Sequence, residues 1–244
     1  MKQSIFEIKE NIKLTDSVMK MTLLGDTAEI TSAGQFINIK LDGLFLRRPI
    51  SVYDCDSESV TIIYKIVGHG TEQMSRMQAG EKLNILTGLG NGYDLSLSGD
   101  APLLLGGGVG VPPLYLLAKK LIAEGKKVSV ILGFNTKDEV FCEDEFRALG
   151  ADVTVTTADG SYGVKGFVTD ATPESYTHFY CCGPEPMLKA VYKSTKTSGQ
   201  LSFEERMGCG FGACMGCSCK TITGYKRICK DGPVMMKEEI LWEA

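Results

Sequence analysis

Apolar and polar positions alternate in short runs along the first hundred residues. Residues 5–13, 18–24, 35–41, 48–54, 60–67 and 82–86 carry the two-residue period, or the β-branched enrichment, of strands. Gly25-Asp26, Asp42-Gly43 and the polar cluster 54–59 punctuate them. A single short helical stretch, 72–77, interrupts the series. Six short antiparallel strands without long helices predict a small closed antiparallel β-barrel over 1–99.

The pattern changes at Asp100. Continuous apolar runs at 101–105, 128–133, 153–157 and 178–182 read as buried strands. Helical periodicity occupies 114–124, 142–149 and 186–194 between them. Strands alternating with helices predict a doubly wound α/β parallel sheet over 100–200. The remaining residues, 201–244, begin with a strand or turn at 201–206 and are too few to build a good core of their own. Something other than apolar burial must hold that third element together.

Length, at 244 residues, accommodates two domains and a small third. A net charge of -4 argues against non-specific nucleic-acid binding, which needs a basic face. No apolar run approaches a membrane span, and the first residues carry no apolar signal core, so a cytoplasmic location is expected. Nine cysteines in a reducing compartment point to metal ligation rather than disulfides.

Those cysteines concentrate where a staple is needed. Cys209, Cys214 and Cys217 stand as C-x4-C-x2-C, and Cys229 follows after an eleven-residue spacer. This is the plant-type spacing for a [2Fe–2S] cluster. Four thiolates must converge on a small cluster while the backbone wraps it closely. Gly208, Gly210, Gly212 and Gly216 permit that wrapping. A structural zinc site would favour two C-x2-C-like pairs. Cys219 lies two residues from Cys217 and is read as a bystander.

Four further stretches carry candidate chemistry. Arg47 and Arg48 precede Pro49, Ile50 and Ser51. Paired arginines there suit a solvated edge, or a flavin site with Arg48 forked on a phosphate and Ser51 as hydroxyl partner. The turn Gly68-His69-Gly70-Thr71 at a helix start offers free N–H groups to an anion, with His69 an exposed or capping residue. The run 106–113, with Gly107, Gly108 and Gly110, joins a strand to a helix as in a nucleotide-binding βα unit. A later strand ends at Cys181-Cys182-Gly183-Pro184, on the ligand edge of such a sheet. Cys181 reads as packing, and Cys182 as the residue facing a nicotinamide ring. The stretch directly after 128–133 offers Lys137 but no arginine, and Asp159 adds an acid, so NADH is expected over NADPH.

Taken together, residues 48–51, 68–71, 106–110 and 182–187 resemble the ferredoxin-reductase superfamily. With 205–209 and 225–234 added, the chain resembles, nearly end to end, the electron-transfer subunits of NAD-dependent (class 1B) dihydroorotate dehydrogenase. The resemblance implies FAD in the barrel, NAD in the α/β domain and a [2Fe–2S] cluster at the C-terminal end. It places flavin contacts on Arg48, Pro49, Ile50, Ser51, Ile63, Tyr64, Lys65, Gly70 and Thr71, and cluster ligands on Cys209, Cys214, Cys217 and Cys229. It also implies an FMN-containing catalytic subunit, assembled two plus two into a heterotetramer, which oxidises dihydroorotate in pyrimidine synthesis. Met235, Met236 and Trp242 are expected either at that interface or packed around the cluster. A flavin and iron–sulfur subunit of a hydrogenase or bifurcating transhydrogenase is the nearest alternative, and a zinc-stabilised binding module is the alternative from another class.

Overall fold

A computed structural model describes residues 1–242. Six strands, β1 (Lys2–Lys13), β2 (Val18–Leu24), β3 (Phe36–Lys40), β4 (Arg48–Cys55), β5 (Ser59–Lys65) and β6 (Lys82–Leu89), close an antiparallel barrel in the order β1-β2-β5-β4-β3-β6. Alternation fills it from one face of each strand. Phe6 and Ile8, then Ile37 and Ile39, then Ile62, are buried to within 1 %. The helix α1 (His69–Ser75) caps one end, where Asn11 Nδ2 donates to the Met74 carbonyl at 2.9 Å.

The second half forms one sheet from β7 (Leu103–Gly107), β8 (Ser129–Phe134), β9 (Asp152–Thr157), β10 (Val164–Lys165), β11 (Phe179–Cys182) and β12 (Gly199–Ser202), all parallel. Its order runs β10-β9-β8-β7-β11-β12. Strand order reverses direction between β7 and β11, which makes a topological switch point with a crevice at their C-terminal ends. Helix α2 (Pro113–Ala123) starts on the proline that suits a first turn and lies against both β7 and the barrel strand β4. Tyr115 of α2 stacks on Tyr53 of β4 at 4.3 Å between centroids. Barrel and sheet therefore share one apolar core, and the crevice is fixed between them. Helices α3 (Glu143–Ala148) and α4 (Glu185–Ser194) complete the second half.

The C-terminal segment is a short hairpin, β13 (Ser218–Thr221) with β14 (Gly224–Arg227), then one helical turn α5 (Ile228–Asp231) and the strand β15 (Val234–Met236). Here the sequence reading and the structure differ. The expected boundary at 200/201 falls inside β12, and β15 pairs antiparallel with β12, Leu201 opposite Met235. The segment is thus stitched to the sheet edge as a seventh strand. It also packs on the barrel, where Phe36, Leu86 and Leu89 meet Cys217, Ile228, Cys229 and Met235. Met235 is buried in that seam, and Trp242 packs edge-on against Tyr192 at 5.1 Å and beside Phe203 at 5.7 Å. Met235 thus packs around the cluster cysteines, one of the two alternatives, whereas Trp242 packs on Tyr192 and Phe203 and not on those cysteines.

Candidate functional site

A cavity of about 790 Å3 opens at the switch point, between barrel, sheet and C-terminal segment. The barrel contributes Pro49, Ile50 and Ser51 from β4, and Ile63 and Lys65 from β5. Because strand residues alternate, Tyr64 points the other way; it is buried, and its hydroxyl donates to Asn11 Oδ1 at 3.1 Å. Arg48 lies beside the α1 turn: a Cβ on Gly70 would stand 2.1 Å from its Nε. Two sequence candidates twenty residues apart are thereby brought together. Thr71 spends its hydroxyl within the turn, accepting from the Val67 N–H at 2.9 Å and donating to the Gly68 carbonyl at 3.1 Å. Arg47, its neighbour's twin in sequence, serves the barrel instead, with Nη2 on Asn84 Oδ1 at 2.7 Å.

From the sheet come Gly107, Gly108 and Gly110, with Cys182 and Gly183 across the switch point. The glycine at 110 is demanded by close approach. A Cβ there would lie 2.3 Å from the Cys182 carbonyl oxygen. Gly108 has φ +51 and open space where a side chain would stand, which leaves a bare backbone edge facing the cavity. Burial pushes the Cys182 thiol up to about 12 against the opposing hydroxyls of Ser202 and Tyr93, so it is a neutral thiol rather than a thiolate.

Several cavity residues were not read from the sequence. Glu139, in the turn that follows β8, lines the cavity and has Oε2 fixed by the Asn135 N–H at 3.1 Å and Nδ2 at 2.8 Å. Its distance from the glycine run is loop-dependent, so spacing alone did not reveal it. Asp159, the acid weighed from sequence, is occupied by Ser161. Thr156 lines the cavity with a buried, unpartnered Oγ1, a polar atom left for a ligand. Phe203, Glu204, Glu205 and Met207 form the wall nearest the cysteine segment.

The four cysteines form two pairs. The Cys214 N–H points at Cys209 Sγ (3.4 Å) and the Cys209 N–H at Cys214 Sγ (3.5 Å). The Cys229 N–H points at Cys217 Sγ (3.4 Å). Further N–H groups, from Ala213 to Cys209 Sγ (3.2 Å) and from Gly216 to Cys214 Sγ (3.4 Å), complete the wrapping. Gly210 and Gly212 adopt φ +79 and +90, as that wrapping requires. Burial raises the Cys209 thiol, but the Phe211, Cys214 and Ala213 N–H groups outweigh it and bring it down to about 6. Burial and the adjacent Cys217 push Cys229 up to about 12. Among the described residues no three His, Cys, Asp or Glu side chains are gathered tightly enough to share one ion. Two thiolate pairs, one for each of two irons, fit a [2Fe–2S] cluster better than a single metal. Cys217 and Cys229 are 2 % exposed, whereas Cys214 is open to solvent. Cys219 lies on the hairpin opposite Lys226 and packs partly against the same seam, but its sulfur accepts none of the N–H groups that gather on Cys209, Cys214 and Cys217. Phe36, Phe203 and Met207 belong both to the cavity wall and to the seam around Cys217 and Cys229, so the two sites share a wall.

Comparison with known proteins agrees with this layout. Residues 204–241 match the iron-sulfur cluster binding domain of dihydroorotate dehydrogenase B, and residues 104–193 match an oxidoreductase NAD-binding domain. The chain is 45 % identical to the dihydroorotate dehydrogenase B (NAD(+)) electron transfer subunit of Fusobacterium nucleatum, over 96 % of each chain. It is 44 % identical to the corresponding subunit of Bacillus pumilus, over 98 % of each. Among solved structures, an NADH-dependent reduced ferredoxin-NADP oxidoreductase studied for flavin-based electron bifurcation superposes with a TM-score of 0.88 at 29 % identity, covering 98 % of this chain and 90 % of that one. A ferredoxin NADP+ reductase from Neisseria gonorrhoeae with bound FAD and NADP superposes at 0.69 and 18 % identity, over 80 % and 90 %, and shares the fold.

Proposed function

The chain belongs to the electron-transfer subunits of dihydroorotate dehydrogenase B (NAD(+)), and from that membership we propose how its residues carry electrons between a catalytic partner and NAD+ in pyrimidine biosynthesis. NAD exchanges hydride, an iron–sulfur cluster exchanges single electrons, and FAD does both, which orders the three groups. The cavity at the switch point carries this reading: it joins the barrel wall, the glycine-lined sheet edge and the cysteine segment in one space.

Each wall has a distinct task. Pro49, Ile50, Ser51, Ile63 and Lys65 face the flavin, Arg48 and the backbone of Gly70 and Thr71 hold its phosphates, and Tyr64 contributes its backbone alone. Gly107, Gly108 and Gly110 let the pyrophosphate of NAD approach the sheet, while Cys182 and Gly183 bound the nicotinamide position. Cys182, as a neutral thiol, packs against the ring without taking a proton from it. Cys209 with Cys214, and Cys217 with Cys229, hold the two irons. The buried Cys217 and Cys229 pair lies toward Phe36 and the cavity, and the exposed Cys214 lies toward the partner.

The partner is a catalytic dihydroorotate dehydrogenase subunit that bears FMN, in a two plus two heterotetramer within the cytoplasm. Phe211, Met215, Ile222 and Tyr225, exposed apolar residues of the cysteine segment, are the surface for it, since aromatic residues and methionine are enriched at interfaces. No helix of the described residues is long and apolar enough to cross a membrane. The alternative of a bifurcating transhydrogenase subunit keeps the same cofactors, but the 45 % relative outweighs the 29 % one. Anaerobic titration of the purified chain with NADH is expected to bleach flavin absorption and then cluster absorption. Bleaching of neither would contradict the proposal.

A further inference from the structure

We infer that Asn38, a residue of the barrel, is a positioning residue for the cluster, holding the Cys209 end of the cysteine loop against the flavin domain. The inference rests on the reading of Cys209 as a cluster ligand. Asn38 is 1 % exposed in the middle of β3, opposite Pro49 of β4 and Leu86 of β6. Its own carbonyl accepts from Arg47 Nη1 at 3.2 Å, and the same guanidinium is anchored on Asn84. The residue is therefore placed by the barrel. From there its Nδ2 donates to the Cys209 carbonyl at 3.3 Å, a bond across 171 positions of chain. The loop is shaped to receive it: a Cβ on Gly210 would lie 2.3 Å from that Nδ2.

The rest of the amide makes the role specific. Asn38 Oδ1 is buried and has no partner. A buried amide with half its capacity unmet is a poor choice for barrel stability, where an apolar side chain of similar shape would serve at least as well. What the amide adds is a fixed Cys209 peptide. The Ala213 and Cys214 N–H groups converge on the sulfur of that same residue. The Cys217 and Cys229 end is held by the apolar seam, but Cys209 and Cys214 are the more exposed pair and need a directional tether. Partners of ligands, rather than ligands themselves, commonly set metal retention by 10- to 100-fold.

Asn38→Asp keeps the shape and removes the donor; Asn38→Leu removes both polar atoms. In the full chain loaded with FAD and cluster, both variants are expected to release iron to a chelator about tenfold faster than the wild type. Both are also expected to alter the electron paramagnetic resonance spectrum of the reduced cluster. The melting temperature of cluster-free Asn38→Leu is expected to match or exceed that of the wild type, a split that a purely structural role would not produce. Should Asn38→Asp fail to fold, Asn38→Leu carries the test alone. A folded variant with wild-type iron release and an unchanged spectrum would overturn the inference while leaving the ligand assignment standing. A wild-type chain that binds no iron–sulfur cluster would overturn the ligand assignment and the inference with it.

Discussion

Cys219 and Cys229 look alike in sequence, ten residues apart in the same polar run, yet the structure places them differently. Cys229 sits in α5 with its N–H on Cys217 Sγ, while Cys219 lies on the β13–β14 hairpin. Cys229→Ser is expected to abolish or strongly weaken the [2Fe–2S] signal and Cys219→Ser to leave it intact, as read by iron content and electron paramagnetic resonance. The reverse pattern would refute the pairing. Glu139 is the second test at this scale. It lines the cavity in the turn after β8, and an acid beyond a strand end is the group that accepts a ribose 2′-OH in sheets of this type. Glu139→Gln is expected to lower kcat/KM for NADH on the order of tenfold, about 1.4 kcal/mol, relative to NADPH. An unchanged ratio would exclude it as the selector. The cysteines were legible because their spacing is itself the constraint. Glu139 and Asn38 were not, because a lone acid in a loop and a lone amide in a strand acquire meaning only from what the fold brings to them.

Among the elements, β15 was concealed in the sequence, as were β10 and the β13–β14 hairpin, and β12 read only as a strand or turn beginning at 201. Three residues cannot display a period, and Met235 and Met236 read equally well as interface or packing. In the structure β15 binds the cysteine segment to β12 and buries Met235 in the seam beside Cys217 and Cys229. Met235→Ala is expected to cost about 2–5 kcal/mol through the cavity it leaves, and to raise the rate of iron loss along with it. Thermal melting with iron release measures both; a lowered melting temperature with unaltered iron retention would show that β15 supports the sheet alone. The six barrel strands, and β7, β8, β9 and β11 with α2, α3 and α4, were legible as runs or periods in the sequence. Their ends moved by a few residues where turns, not periodicity, decide the boundary. The docking of barrel on sheet through α2, with Tyr53 stacked on Tyr115, has no counterpart in local pattern.

For the whole molecule, the proposed layout is a relay: NAD enters at the switch-point cavity, and Cys214, exposed like Phe211 and Met215, is offered to the partner. In the proposed reading the barrel wall of the cavity takes the flavin and the glycine-lined sheet edge takes NAD, so oxidation of dihydroorotate falls to the partner. The most direct measurement is therefore reconstitution. The purified chain, the catalytic dihydroorotate dehydrogenase subunit and the two together are each mixed with dihydroorotate and NAD+ under anaerobic conditions, and NADH formation is followed. The account predicts NADH from the pair, none from either subunit alone, and co-elution of the two on size exclusion. NADH formed from dihydroorotate by this chain alone, or an assembled pair that forms none, would contradict it.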